Sequence, residues 1–182
     1  MRLFDGTGIK FTTSGKRHLG AALGSIDFRK KYASEKVTEW CKEIEKLTEF
    51  AISQPHAAYA AFVHGKQHRF RFFMRTIPGM ETYLKPLDDI IDHNLIPAIL
   101  GKNIGDTERE MIALPVRNGG LGMPQLCEIA QTEFIASTTI TAPLAAIIVM
   151  QGMNLPNDTE EKRIRQVHQQ EKEKRKRRGW NR

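Results

Sequence analysis

Cysteine is nearly missing from this chain: Cys41 and Cys127 are the two thiols in 182 residues. Two thiols without a secretory signal predict reduced, buried side chains rather than a disulfide framework. The start, Met1-Arg2-Leu3-Phe4-Asp5-Gly6, has no apolar core of the kind a signal peptide carries. Long hydrophobic runs are missing too. The longest, Ala142 to Met150, holds Pro143 and falls well short of the roughly 18 residues a membrane span needs. These absences predict a soluble intracellular protein of nucleus or cytoplasm, with no membrane partner.

The chain also lacks the motifs of autonomous chemistry. Leu87-Asp88-Asp89-Ile90 is the nearest approach to a metal-binding carboxylate pair. It follows Pro86 in a helical pattern, where two acids in a first turn favour the positive helix end without any metal. His64 and His68 stand one helical turn apart, as zinc ligands often do. Gly65 replaces the Glu of a His-Glu-x-x-His motif, and Lys66 and Arg69 would repel a cation, so a solvated basic face is the better reading. Gly15-Lys16 is followed by Arg17, and Gly119-Gly120-Leu121-Gly122 by Met123-Pro124, so neither makes a phosphate loop. No nucleophile elbow or Cys–His arrangement is legible. The expectation is no catalytic residue, no metal and no cofactor.

What is present is a body and a tail of different character. Hydrophobic residues make up 40% of the chain, enough for a real core. From Thr159 to Arg182 there are ten Lys/Arg and four acids, a net of +6. The remaining 18 basic and 17 acidic residues leave the body at +1, so the overall charge of +7 says little about the body. The run through Lys172, Lys174, Arg175, Lys176, Arg177 and Arg178 has the composition of a nuclear-localisation or non-specific nucleic-acid patch. Such runs are also often only solubilising.

The periodicity predicts a mainly α fold: a short N-terminal β-hairpin on a helical bundle, then a basic tail that is helical or disordered. Three units follow, 1–30, 31–152 and 153–182. The hairpin is expected over Ile9 to Leu23, turning at Ser14-Gly15. From a Ser34 N-cap, the residues Val37, Trp40, Cys41, Ile44, Leu47 and Ala51 recur at helical spacing. Pro55 starts a second helix through Phe62, Phe70 and Phe73, with Gly65 a weak point and Ile77-Pro78-Gly79 the stop. A third begins near Pro86 and ends before Pro97. Asp106 or Thr107 caps a fourth, a glycine-rich loop follows, and two more helices cover roughly 125–138 and 143–150. Trp40, Ile44, Leu47 and Phe62 are the expected core centre.

One segment suggests a ligand. Lys66, Arg69, Arg71 and Arg75 alternate with Phe70, Phe72 and Phe73, and no acid occurs between Glu49 and Glu81. Cations beside aromatic groups are what a polynucleotide groove needs. An ordinary amphipathic helix, with its rings in the core and its charges in water, reads the same way.

Four blocks in fixed order tip that balance. They are Gly15-Lys16-Arg17-His18-Leu19-Gly20, Pro55-His56-Ala57-Ala58-Tyr59-Ala60-Ala61-Phe62, Arg75-Thr76-Ile77-Pro78, and Leu114-Pro115-Val116-Arg117-Asn118-Gly119-Gly120-Leu121-Gly122. In this order and spacing they resemble the stretch that follows the catalytic aspartates in retroelement reverse transcriptases abundant in invertebrate genomes. The resemblance spans about Met1 to Gly152. It implies that Lys16, Arg17, His18, Leu19 and Gly20 form a primer-grip hairpin holding the primer end. It implies that Lys66, Arg69, Arg71 and Arg75 sit in a thumb against an RNA–DNA or DNA duplex, read by shape and backbone. It also implies a missing polymerase N-terminal half, since fingers and metal-binding palm would lie before Met1. The expected function is thus a non-catalytic fragment of an RNA-directed DNA polymerase. The alternative is a helical scaffold or protein-interaction module.

Overall fold

The computed structural model describes residues 12–150, together with Lys162, Gln166, Gln169 and Gln170, which are helical and exposed. The tail cations from Lys172 to Arg178, and Ile9 to Phe11 of the expected first strand, lie outside the described residues. The described chain is predominantly helical, with one short antiparallel hairpin ahead of the helices.

The hairpin differs in register from the expectation. Its strands are β1 (Gly15–His18) and β2 (Ala21–Gly24), paired with Gly15 opposite Gly24 and His18 opposite Ala21. The turn is Leu19-Gly20, with φ of 48° and 89°, not Ser14-Gly15. Two consecutive positive φ values match the right-handed strand twist. Gly15 and Gly24 instead close the open end, where a Cβ on Gly24 would overlap the Gly15 backbone. Thr12 folds back onto Gly15 through its hydroxyl rather than extending the strand.

Helix α1 (Ile26–Ser53) begins two turns earlier than its sequence pattern suggested. Ser25, not Ser34, is the N-cap, and its hydroxyl accepts from the Phe28 amide at 3.2 Å. The apolar stripe extends upstream through Phe28, Tyr32 and Ala33, which seat the hairpin. Pro55 opens α2 (Pro55–Ala61), where its missing N–H costs nothing. A wide π turn, Phe62–Lys66, then carries the rod into α3 (Gln67–Thr76). Gly65, the expected weak point, lies in that turn. Ile77 turns extended and Gly79 takes φ 75°, ending the rod.

Helix α4 (Lys85–Ile90) does not stop before Pro97. A second π turn, Ile91–Leu95, joins it to α5 (Ile96–Leu100), and the Ile96 amide reaches back to the Ile91 carbonyl. The wide turn brings the chain into Pro97 at the first positions of α5, where proline is tolerated. Helix α6 (Asp106–Ala113) is capped from Gly105, whose amide donates to Glu108 at 3.2 Å, rather than by Asp106 or Thr107. The last two expected helices are one, α7 (Leu126–Val149), which passes through Pro143. The carbonyl left unpaired by a mid-helix proline is cheapest where, as here, water reaches the helix.

Trp40 lies at the centre of the core, with Phe70 and Phe73 ring centroids at 4.9 and 4.8 Å. Ile44 and Phe62 are fully buried beside it. Leu47 lies on the stripe between Ile44 and Ala51 but is only half-buried, at the margin of the core. Both cysteines are likewise half-buried and free rather than fully enclosed.

Candidate nucleic-acid interface

The hairpin presents Lys16, Arg17 and His18 to solvent, and Leu19 at the turn is 87% exposed. Lys16 and His18 share one face, while Arg17, opposite Ala22, shares the face that is anchored. Ala22 is buried, the Tyr32 hydroxyl donates to the Gly20 carbonyl at 3.2 Å, and Gly20 lies so close to Phe72 that a Cβ would approach the ring to 3.2 Å. The hairpin therefore sits where α1 and α3 meet, through Tyr32 and Phe73, whose rings stack at 6.1 Å.

The helix cations divide between two flanks. With Phe70, Phe73 and Met74 in the core, the 3.6-residue turn sets Lys66 and Arg69 on one side and Arg71 and Arg75 on the other. On the first side α1 supplies acids. Lys66 reaches Glu43 at 2.6 Å, Arg69 meets both oxygens of Glu43 at 3.0 Å, and Arg69 also reaches Glu39 at 3.2 Å. Lys36 of α1 pairs with Glu39 as well. On the other side Arg75 donates to Glu133 of α7 at 2.7 Å, a carboxylate only 7% exposed. Arg71 donates to the buried Gln67 amide at 2.9 Å, and Gln67 in turn donates to the Gly122 carbonyl at 3.0 Å. Sequence distance hid these partners: no acid lies near Lys66 along the chain, yet α1 runs antiparallel beside it.

The first flank forms a seam of paired charge between α1 and α3. From the hairpin at Tyr32 and Phe73 it passes Lys36, then Arg69 with Glu39, then Lys66 with Glu43. Lys36, Glu39 and Glu43 were not singled out from sequence. Their signal was the i, i+3 and i, i+4 spacing of 36, 39 and 43, complementary to Lys66 and Arg69 on the next helix. The Lys36 hydrogen bond, helped by Arg69, holds the Glu39 carboxyl below its usual range. Burial pushes Glu43 up, but Lys66 and Arg69 outweigh it and hold this carboxyl low too. Both acids are charged at neutral pH.

The remaining candidate chemistry is structural in setting. Asp88 is 4% exposed, and its two oxygens accept from the Leu126 and Cys127 amides at 2.7 and 2.8 Å. It thus caps α7 from another element, a role beyond the favourable first-turn position in α4. Burial pushes the Asp88 carboxyl up while those two amides pull it back. Asp89 faces Lys85 at 2.9 Å instead. Burial and the neighbouring Asp88 carry the Cys127 thiol up to about 12, so it is not a nucleophile at neutral pH. His64 and His68 are exposed. Among the described residues no three His, Cys, Asp or Glu side chains converge on a metal position. The glycine-rich loop folds onto α6 and α2: Gly122 donates to the Leu114 carbonyl at 2.8 Å, and the Tyr59 hydroxyl to the Leu121 carbonyl at 2.8 Å. A Cβ on Gly120 would overlap the Leu114 carbonyl, which accounts for glycine there without any phosphate.

Helix α7 stands apart. An 18-residue window within its 24 residues reaches a mean hydropathy of 1.5, enough by length and composition to cross a membrane, and 11% of that window is buried. Counting only uninterrupted apolar residues missed this, because Ser137, Thr138, Thr139 and Thr141 interrupt the run without interrupting the helix. The first half is held by Asp88 and Arg75, whereas Ile148 and Val149 are 75% and 81% exposed.

Fold and surface together define a small, mainly helical domain with a cation-bearing hairpin seated on a helix–helix seam. No protein-family model, curated protein or solved structure matches the chain.

Proposed function

We propose that this chain is a non-catalytic, thumb-like portion of a retroelement reverse-transcriptase-type protein that contacts the backbone of a template–primer duplex. The observation that carries the reading is the seam: Lys16, Arg17 and His18 project from a hairpin anchored on the two helices that present Lys36, Arg69 and Lys66. A surface of this kind follows phosphates without reading bases. Asp88 is committed to two backbone amides, so the reading assigns no metal-dependent polymerisation to this chain.

The test is salt-titrated binding of the full chain to an RNA–DNA hybrid. In one variant the six tail cations from Lys172 to Arg178 are replaced by Gln. Residual binding that weakens on Lys16→Ala with Arg17→Ala, alike for unrelated sequences, supports a body interface. Loss of all binding with the tail charges alone would show that the folded body contributes nothing. Primer extension abolished by Asp88→Asn would overturn the non-catalytic part.

A second reading is a helical interaction module, favoured by the outer half of α7, where Leu144, Ile148 and Val149 are exposed. Concentration-dependent self-association or a stable protein complex, reversed by Ile148→Glu, would support it.

A further inference from the structure

The seam carries its own counter-charge. Lys36, Arg69 and Lys66 supply three positive charges, and Glu39 and Glu43 return two negative ones to the same strip. The acids are not incidental neighbours. Glu43 meets the Arg69 guanidinium through both oxygens at 3.0 Å and holds Lys66 at 2.6 Å, while Glu39 takes the other arm of Arg69 at 3.2 Å. A carboxylate on one arm of a guanidinium takes a donor that a phosphate oxygen would otherwise use. Glu43 holds one arm of Arg69 and Glu39 the other, so a phosphate reaches Arg69 only by displacing one of them.

We infer that Glu39 and Glu43 act as an internal brake on nucleic-acid contact, holding Arg69 and Lys66 until a dense phosphate array displaces both carboxylates. This rests on the duplex-binding reading above. Its consequence is selectivity by charge density. A single phosphate or an acidic side chain offers Arg69 no more than it already has. A polynucleotide backbone brings successive charges along the seam, from the hairpin cations toward Lys66, and can replace both acids together. Contact is correspondingly easy to release, because the acids rejoin their partners as the backbone leaves.

The experiment compares two doubly neutralised forms of the full chain that change net charge equally. Glu39→Gln with Glu43→Gln removes the brake. Glu45→Gln with Glu49→Gln removes two exposed acids of the same helix that are outside the seam's ion pairs. Affinity for an RNA–DNA hybrid is measured across a salt series, and a circular dichroism melt checks folding. If the first pair destabilises the chain, the single Glu39→Gln variant, at the more exposed acid, takes its place. Removing the brake should raise affinity at each salt concentration more than the control pair does, because the duplex no longer has to displace two carboxylates. Adding Lys66→Ala and Arg69→Ala should abolish that gain and flatten the salt dependence by about two phosphate contacts, or roughly a tenfold smaller affinity loss between about 50 and about 200 mM salt. Equal shifts from both pairs would overturn the brake and leave duplex binding standing, since net charge alone would explain them. Absence of salt-dependent binding by the body in every variant, with tail cations neutralised, would overturn the brake and the duplex reading together.

Discussion

Replacing Asp88 by Ala should loosen the attachment of α7 more than any surface change of similar size. Asp88 is 4% exposed, and each of its oxygens holds one amide at the start of α7, at 2.7 and 2.8 Å. Alanine orphans both amides, and Leu126 is fully buried, so water cannot replace the lost acceptor there. Losing an N-terminal cap costs about 0.5–2 kcal/mol. A buried donor left unpaired costs about 1–3 kcal/mol. Cys127 is half-buried and recovers part of its loss from solvent. Removing a carboxylate that burial already disfavours returns a little more. The expected loss is about 2–3 kcal/mol, and Asp88→Asn, which keeps one acceptor, should lose about half of that. Urea unfolding followed by circular dichroism gives the midpoint and slope. The midpoint should fall with the slope unchanged, because the surface exposed on unfolding is the same. Chelator should not alter the result. A loss below about 0.5 kcal/mol, within the range of ordinary surface substitutions, would refute the capping role.

Other expectations follow from burial, backbone and charge. Trp40→Ala should cost about 3–5 kcal/mol, and Leu47→Ala markedly less, because Trp40 is fully enclosed while Leu47 sits at the core margin; equal losses in denaturant titration would mean the core is misplaced. Gly120→Ala should destabilise by forcing the loop off Leu114, whereas Gly65→Ala, with no neighbour near the added methyl, should gain up to about 1 kcal/mol; thermal melts moving in the same direction would contradict this. Glu39 and Glu43 titrate below the usual carboxylate range, so their contribution is complete above that range and is lost as pH falls through their lowered values. Glu43→Gln should flatten the acid limb of stability against pH, and an unchanged limb would remove the ion network from the account.

The sequence alone determined roughly which segments are helical and, for α1 and the rod after Pro55, which side faces inward, because helical periodicity is a local property. Val37, Trp40 and Ile44 marked the buried stripe of α1, Pro55 its successor, and Ile77-Pro78-Gly79 the stop. Boundaries were less legible where a local rule yielded to packing. The start of α1 moved to Ser25 because Phe28 and Tyr32 have the hairpin to cover. The chain passed Pro97 because a π turn absorbed the mismatch, and Pro143 because α7 is exposed there.

Only tertiary structure decided what the charges do. Lys66, Arg69, Arg71 and Arg75 form one basic run in sequence, yet folding sends the first two to acids of α1, 26 and 30 positions from Arg69, and Arg75 to an acid of α7, 58 positions away. Asp88 finds its amides 38 and 39 positions downstream. Electrostatic partners are set by distance through space, and a helical rod folded against its neighbour brings together residues that no local pattern relates. The strip of charge on which the proposed interface rests is therefore a property of the α1–α3 packing.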